Sequence, residues 1–176
     1  MRFQTLGNKS AFMSDQMRNS DSTLVTMKRG TPVYLTFNGT EDGFACILPS
    51  SASAAQQLSF AYGVVTDDVL AGQVGEARRH GLCNYILIAA QTRSASTNSF
   101  ATVASLALGL PLGIDTVNNC FLTVASSEAS AATLPIIDQY FGFLAQNVAT
   151  LAGIASNTAA TQLILYQGVK AFLRML

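Results

Sequence analysis

A mainly β chain, folded as a compact antiparallel barrel or sandwich, is what this sequence predicts, with one amphipathic helix near the C-terminus and an extended N-terminal arm. Three observations carry the prediction. Between Phe60 and Ala90 three short apolar runs, Phe60–Val65, Val74–Arg78 and Tyr85–Ala90, are parted by Gly72, Gly75 and Gly81, the pattern of strands bounded by tight connections. Val33, Leu35 and Phe37 alternate with Tyr34 and Thr36, the period-two signature of a half-buried strand. Val169, Ala171, Leu173 and Met175 alternate again, with Lys170 and Arg174 on the other face.

Taken in order, residues 1–22 are polar, carry Met1, Met13 and Met17 and show no clean period, which suits a disordered or tag-like terminus as well as an arm that orders against a partner. The remainder, 23–176, reads as one domain. Thr23–Met27 is expected as a first strand, with Lys28-Arg29-Gly30-Thr31-Pro32 as a turn. Asn38-Gly39 and Glu41-Asp42-Gly43 are turn chemistry, and Phe44–Leu48 returns as the paired strand. Pro49–Gln57 and Gln91–Ser99 are rich in small polar residues and read as loops. Phe100–Leu108 fits a short helix or a strand, and Cys120–Ala125 is a strand. Beyond Pro135, the residues Ile137, Phe141, Leu144, Val148, Leu151 and Ala155 are spaced as the stripe of an amphipathic helix, about 136–155. A closing strand over about 163–175 completes the chain.

Composition narrows the function. Of 176 residues only 11% are charged, and the net charge is zero; long-range attraction to nucleic acid or an anionic membrane is therefore not expected. From Ser94 to Val169 the charged residues are Asp115, Glu128 and Asp138, with no Lys or Arg. Depletion of charge is what the cores of protein interfaces show, and such a surface suits a protein packed against others. Met1–Ser22 holds no continuous apolar stretch, so no secretory signal is expected there. The longest apolar run, Val103–Ile114, is too short and too broken by Gly and Pro to span a bilayer as a helix.

The residues that carry chemistry are sparse. Cys46, Cys83 and Cys120 stand far apart inside apolar runs, where cysteine behaves as a small buried hydrophobe. The one histidine, His80, sits beside Arg78 and Arg79 with no carboxylate close in sequence. Asp67-Asp68 reads as a turn or cap between Val65 and Leu70. No phosphate-loop, dinucleotide, zinc-protease or nucleophile-elbow pattern occurs. These readings predict no catalytic residue, no metal, no cofactor and no enzyme.

Three places carry a family resemblance. Lys28-Arg29-Gly30-Thr31-Pro32-Val33 opens a strand on a glycine turn. Tyr62-Gly63-Val64-Val65, a short excursion to Leu70-Ala71-Gly72, then Val74 to His80-Gly81 repeats strand, glycine, strand, glycine. Val169-Lys170-Ala171-Phe172-Leu173-Arg174 closes the chain. In this order the pieces resemble the small capsid decoration, or cement, proteins of tailed bacteriophages, of the β-tulip or β-barrel type. The resemblance covers about half of the chain, and the long 91–157 region departs from it. What it implies is a virion protein on the outer surface of the capsid that stabilises the expanded head. Its implied partners are the major capsid protein and itself, as a homotrimer, without nucleic acid or membrane. The candidate capsid or subunit contacts are Met13, Met17, Arg18, Arg78, Arg79, Phe141 and Leu144. The alternatives are another phage structural module, such as a head fibre base, tail or minor capsid component assembled through the 137–155 stripe, and a small-ligand-binding barrel.

Overall fold

Strand β5, Val74–Arg93, is the longest element of the computed structural model and belongs to both halves of it. The structure describes residues 12–36, 44–53, 61–93, 100–102, 105–124, 141–149 and 165–175. Through these run β1 (Phe12–Asn19), β2 (Pro32–Leu35), β3 (Ala45–Ile47), β4 (Ala61–Val65), β5, β6 (Phe100–Thr102) and β7 (Ser105–Leu106). They are followed by β8 (Leu112–Asp115), β9 (Cys120–Val124), β10 (Gly142–Leu144), β11 (Val148–Ala149) and β12 (Leu165–Arg174). The mainly β expectation holds, and the described residues contain only one short 3-10 turn, Pro49–Ser51.

The first half is a closed barrel in the order β1-β3-β2-β4-β5, shut by antiparallel pairing of β5 with β1. The β1–β3 contact is its one parallel seam. The second half builds on the far end of β5. There β12 pairs antiparallel on one side and β9 parallel on the other, with β10 beyond β12 and β8 beyond β9. The bridge Pro111–Phe143 and the bonds Phe141 N–H to Leu112 O (3.0 Å) and Leu144 N–H to Leu110 O (2.9 Å) bring β10 round to β8. Gly81, at φ +93°, lies where β5 passes from β1 to β12, opposite both Phe12 and Leu173. Only glycine takes that conformation without cost. The sequence reading divided β5 at this glycine; pairing on both sides instead carries one strand through it.

Two packed interiors follow from the alternation of side chains along shared strands. Met17, Met27, Val33, Cys46, Val65 and Ala77 belong to the cluster of the first barrel. Tyr34, Ile47, Ile86, Phe121, Leu144 and Leu173 belong to the second. Strands β2 and β3 thus contribute to both interiors, Val33 and Cys46 to one, Tyr34 and Ile47 to the other. Each fully buried side chain of this size stabilises by ~1.5–3 kcal/mol relative to exposure.

Several expectations need correction. Phe12–Asn19, read as part of an arm, is barrel strand β1; residues 1–11 lie outside the described residues. Of Thr23–Met27, read as the first strand, only Met27 pairs, as an isolated bridge to Val69. The helix expected at 136–155 does not form over its described part: Gly142–Leu144 is β10 and Val148–Ala149 is β11. Pairing decides this, since Gly142, Phe143 and Leu144 lie opposite Leu173, Phe172 and Ala171. A helical stripe of apolar residues cannot outweigh a ready sheet edge that also buries Leu144. Ile137, Leu151, Ala155 and the Asn38-Gly39 turn lie outside the described residues. The predicted closing strand corresponds to β12, and the 100–108 run gives β6 and β7, two strands.

Candidate assembly surfaces

At one end of the first barrel a buried polar network shapes an exposed apolar loop. Asn19, 1% exposed, donates its amide to Val25 O and Val69 O, both at 2.9 Å, and accepts from Asp21 N–H at 3.2 Å. Asp21, 3% exposed, accepts from Leu48 N–H at 2.8 Å, from Thr23 N–H at 3.0 Å and from the Thr23 hydroxyl. Burial pushes the Asp21 carboxyl up, but these hydrogen bonds, with one from Ser51, outweigh it and hold the group below its ordinary value.

Within this frame Leu24 takes φ +56° and stands 78% exposed. A left-handed conformation costs a leucine roughly 1–2 kcal/mol, and the network over-determines the turn enough to hold it. Val25, Leu70 and Val74 are exposed at the same end, because Asn19 also meets Gly72 N–H and Gln73 O through its backbone. Asp67 and Glu76 flank them; Thr66 N–H bonds Glu76 O and the Thr66 hydroxyl reaches Asp67. This end is therefore apolar with an acidic margin.

The outer face of β5, β12 and β10 carries a second patch. Leu82, Phe172 and Phe143 form a cross-strand row, each directly opposite the next, and each is about half exposed. Their neighbours Cys83, Ala171, Leu173 and Leu144 point inward and are buried. His80 meets Phe172 edge to face at 5.5 Å and lies opposite Arg174. Lys170 and Arg174 border the row on β12. An aromatic between two cations on a strand's polar side was visible in the sequence at Phe172; Leu82, Phe143 and Leu24 gave no comparable signal, since their exposure is decided by register and turn geometry. Contiguous exposed apolar ground of this kind marks an interaction surface.

The predicted contact residues scatter over the fold. Met13 lies in β1 opposite His80. Met17 is fully buried in the first barrel and Leu144 in the second half, and Phe141 packs against the second core, which takes Met17 and Leu144 off the surface. Arg18 is half-buried with its guanidinium 3.4 Å from Gly72 O. Arg79 pairs with Asp15 at 2.6 Å over the Tyr62 ring, while Arg78 donates to Leu82 O at 2.9 Å and lies over the Tyr85 ring. Both arginines thus support β5 in place.

The sparse reactive groups are embedded too. Cys46, Cys83 and Cys120 are buried free thiols. Burial pushes those of Cys46 and Cys120 up to about 12, far from thiolate chemistry. Asp68 ties two turns together, accepting from Lys28 Nζ at 2.8 Å and Arg29 N–H at 2.9 Å. Beside that pair lies an open cleft of about 610 Å³ lined by Lys28, Arg29, Asp68, Asn84, Tyr85, Gln167 and Gly168. Among the described residues no group of three or more His, Cys, Asp or Glu could hold a metal ion, and no helix is long and apolar enough to cross a membrane.

Fold and surface together define a β protein, a closed barrel with further strands built on β5, that shows solvent two apolar patches of opposite charge margin. Among solved structures it is similar to the N base of the head fibre protein gp8.5 of bacteriophage phi29, at 10% identity and a TM-score of 0.45, over 92% of this chain and 94% of that one. A likeness of that degree transfers no function. No family model matches the chain, and no curated protein matches it.

Leu24 offers a direct check on the first patch. Leu24→Gly removes the left-handed penalty and should leave thermal stability unchanged or raise it, by up to about 1 kcal/mol. A loss of about 2 kcal/mol or more, the range for a truncated core leucine, would show instead that the side chain is packed.

Proposed function

We propose that this chain is a virion structural protein that binds the outer surface of a phage capsid and stabilises the expanded head, acting as a homotrimer. The observation that carries the reading is the pair of exposed apolar patches on a rigid β scaffold. A strained, largely exposed leucine and a half-exposed Leu82–Phe172–Phe143 row suit a protein that packs against partners. The low charge content supports the same reading, as does the glycine-punctuated strand order that resembles decoration proteins. The phi29 neighbour is not needed for it. Modest contacts repeated over many symmetric copies stabilise a shell through avidity.

The test is co-sedimentation of the purified protein with expanded and unexpanded heads of the virus that encodes it. Saturable pelleting with expanded heads alone, at a fixed ratio to the major capsid protein, is the expected result. Pelleting with neither shell would overturn decoration and favour the fibre or tail alternative.

A further inference from the structure

The two apolar patches carry opposite margins. Among the described residues, Asp15 is paired with Arg79 and Asp68 with Lys28. Asp67 and Glu76, which have no ion pair among the described residues, both lie at the barrel end with Leu24, Val25, Leu70 and Val74. Lys170 and Arg174, likewise without an ion pair among the described residues, both border the Leu82–Phe172–Phe143 row. Beside them, among the described residues, His80 lies against Phe172, Arg78 reaches Leu82 O, and Asn84 and Gln167 line the cleft next to the Asp68–Lys28 pair. Arg18 sits opposite Val74 at the acidic end, half-buried and engaged with Gly72 O.

Both patches stand on β5. Val74 and Glu76 lie near its start, and His80 and Leu82 further along it, beyond the register shift at Arg78–His80 that turns them to the other face of the strand. Eight residues of strand separate Val74 from Leu82, at most about 26 Å. An acidic apolar surface and a basic apolar surface on one rigid chain are each other's complement, whereas either patch against its own copy would bring like charges together.

We propose that the acidic barrel end of one copy docks on the basic β5–β12–β10 face of a second copy. Leu24 and Leu70 would meet the Phe172 row while Asp67 and Glu76 face Lys170 and Arg174. The contact is heterologous, joining two different patches, so its repetition closes a ring or runs on as an open filament. This inference rests on the reading of the chain as an assembly protein and names the surfaces that join its copies.

Sedimentation velocity of the full chain, alone and over a concentration series, tests it. The wild type should self-associate, less so as salt is raised. Asp67→Lys with Glu76→Lys, and separately Lys170→Glu with Arg174→Glu, should each weaken association by about tenfold or more. Combining all four reversals restores the complement and should restore association, as should mixing the two double variants. Circular dichroism and melting curves matching the wild type establish that each variant is folded. A monomeric wild type, a double reversal without effect, or a folded fourfold variant as weak as the doubles would each overturn the inference. A monomeric wild type that still pelleted with heads would sink this pairing and leave decoration standing. Self-association without pelleting would do the reverse.

Discussion

Gly30→Ala is expected to destabilise the protein by roughly 3–6 kcal/mol, summing a left-handed backbone cost, a steric clash and lost hydrogen bonds. Gly30 has φ +88°, and a Cβ placed there would lie 2.2 Å from Tyr85 O and 2.9 Å from Leu87 N. Both obstacles are backbone of β5, so no side chain can swing aside. The turn is also tied at both its polar groups: Gly30 N–H donates to Val65 O and Gly30 O accepts from Leu87 N–H, each at 2.9 Å. Moving it away from β5 would break the bond to Leu87 and disturb the bonding of β4. Against a total stability of about 5–15 kcal/mol for a typical domain, that is a large share. Urea denaturation checks it, and a change below about 1 kcal/mol would mean that the turn does not press on β5.

Asp21→Ala should cost about 2–4 kcal/mol, because the Leu48 and Thr23 amides lose their buried acceptor together. Asp21→Asn keeps one acceptor oxygen and should cost less. The effect has a pH signature. The folded carboxyl is held below its ordinary value of 3.8, so its ionised form stabilises the native state above the unfolded pKa, and that contribution is lost as pH falls through the folded one. The stability gap between wild type and Asp21→Asn should therefore be widest near neutrality and shrink below about pH 4. A gap that grew on acidification would contradict the hydrogen-bonded carboxylate. Losing Asp21 should also loosen the turn that presents Leu24.

Much of the architecture was legible in the residues. The alternation at Val33–Leu35 and Val169–Met175 marks β2 and β12, and the apolar runs on either side of Gly72 correspond to β4 and the start of β5. What could not be read was decided by partners distant in sequence. Phe12–Asn19 looks like an arm because polar Gln16 lies exposed opposite Glu76 while Met17 fills the core. Phe141 and Leu144 have helical spacing with Ile137 and Val148, yet Gly142 at φ +153° sits against Phe172 O in a sheet. The surfaces were less legible still. Leu24 is apolar inside a segment that looks like a strand, and only Asp21, Thr23 and Asn19 folding back on each other turn it outward. Phe172 carried a signal, an aromatic between Lys170 and Arg174, yet it was not among the expected contacts.

The shared strand has a mechanical consequence. Because β5 is a wall of the first barrel and the strand on which the second half is built, neither half can come apart without removing a wall of the other. The two halves are thus coupled as one cooperative unit, although each has its own interior. If the acidic end of the first barrel is grasped by one neighbour and the basic face of the second half by another, the pull between them runs lengthwise along a continuous ladder of hydrogen bonds. Strands loaded that way share the strain among many bonds at once, and a shell swollen from within would stretch its fastening along the direction in which this chain gives least.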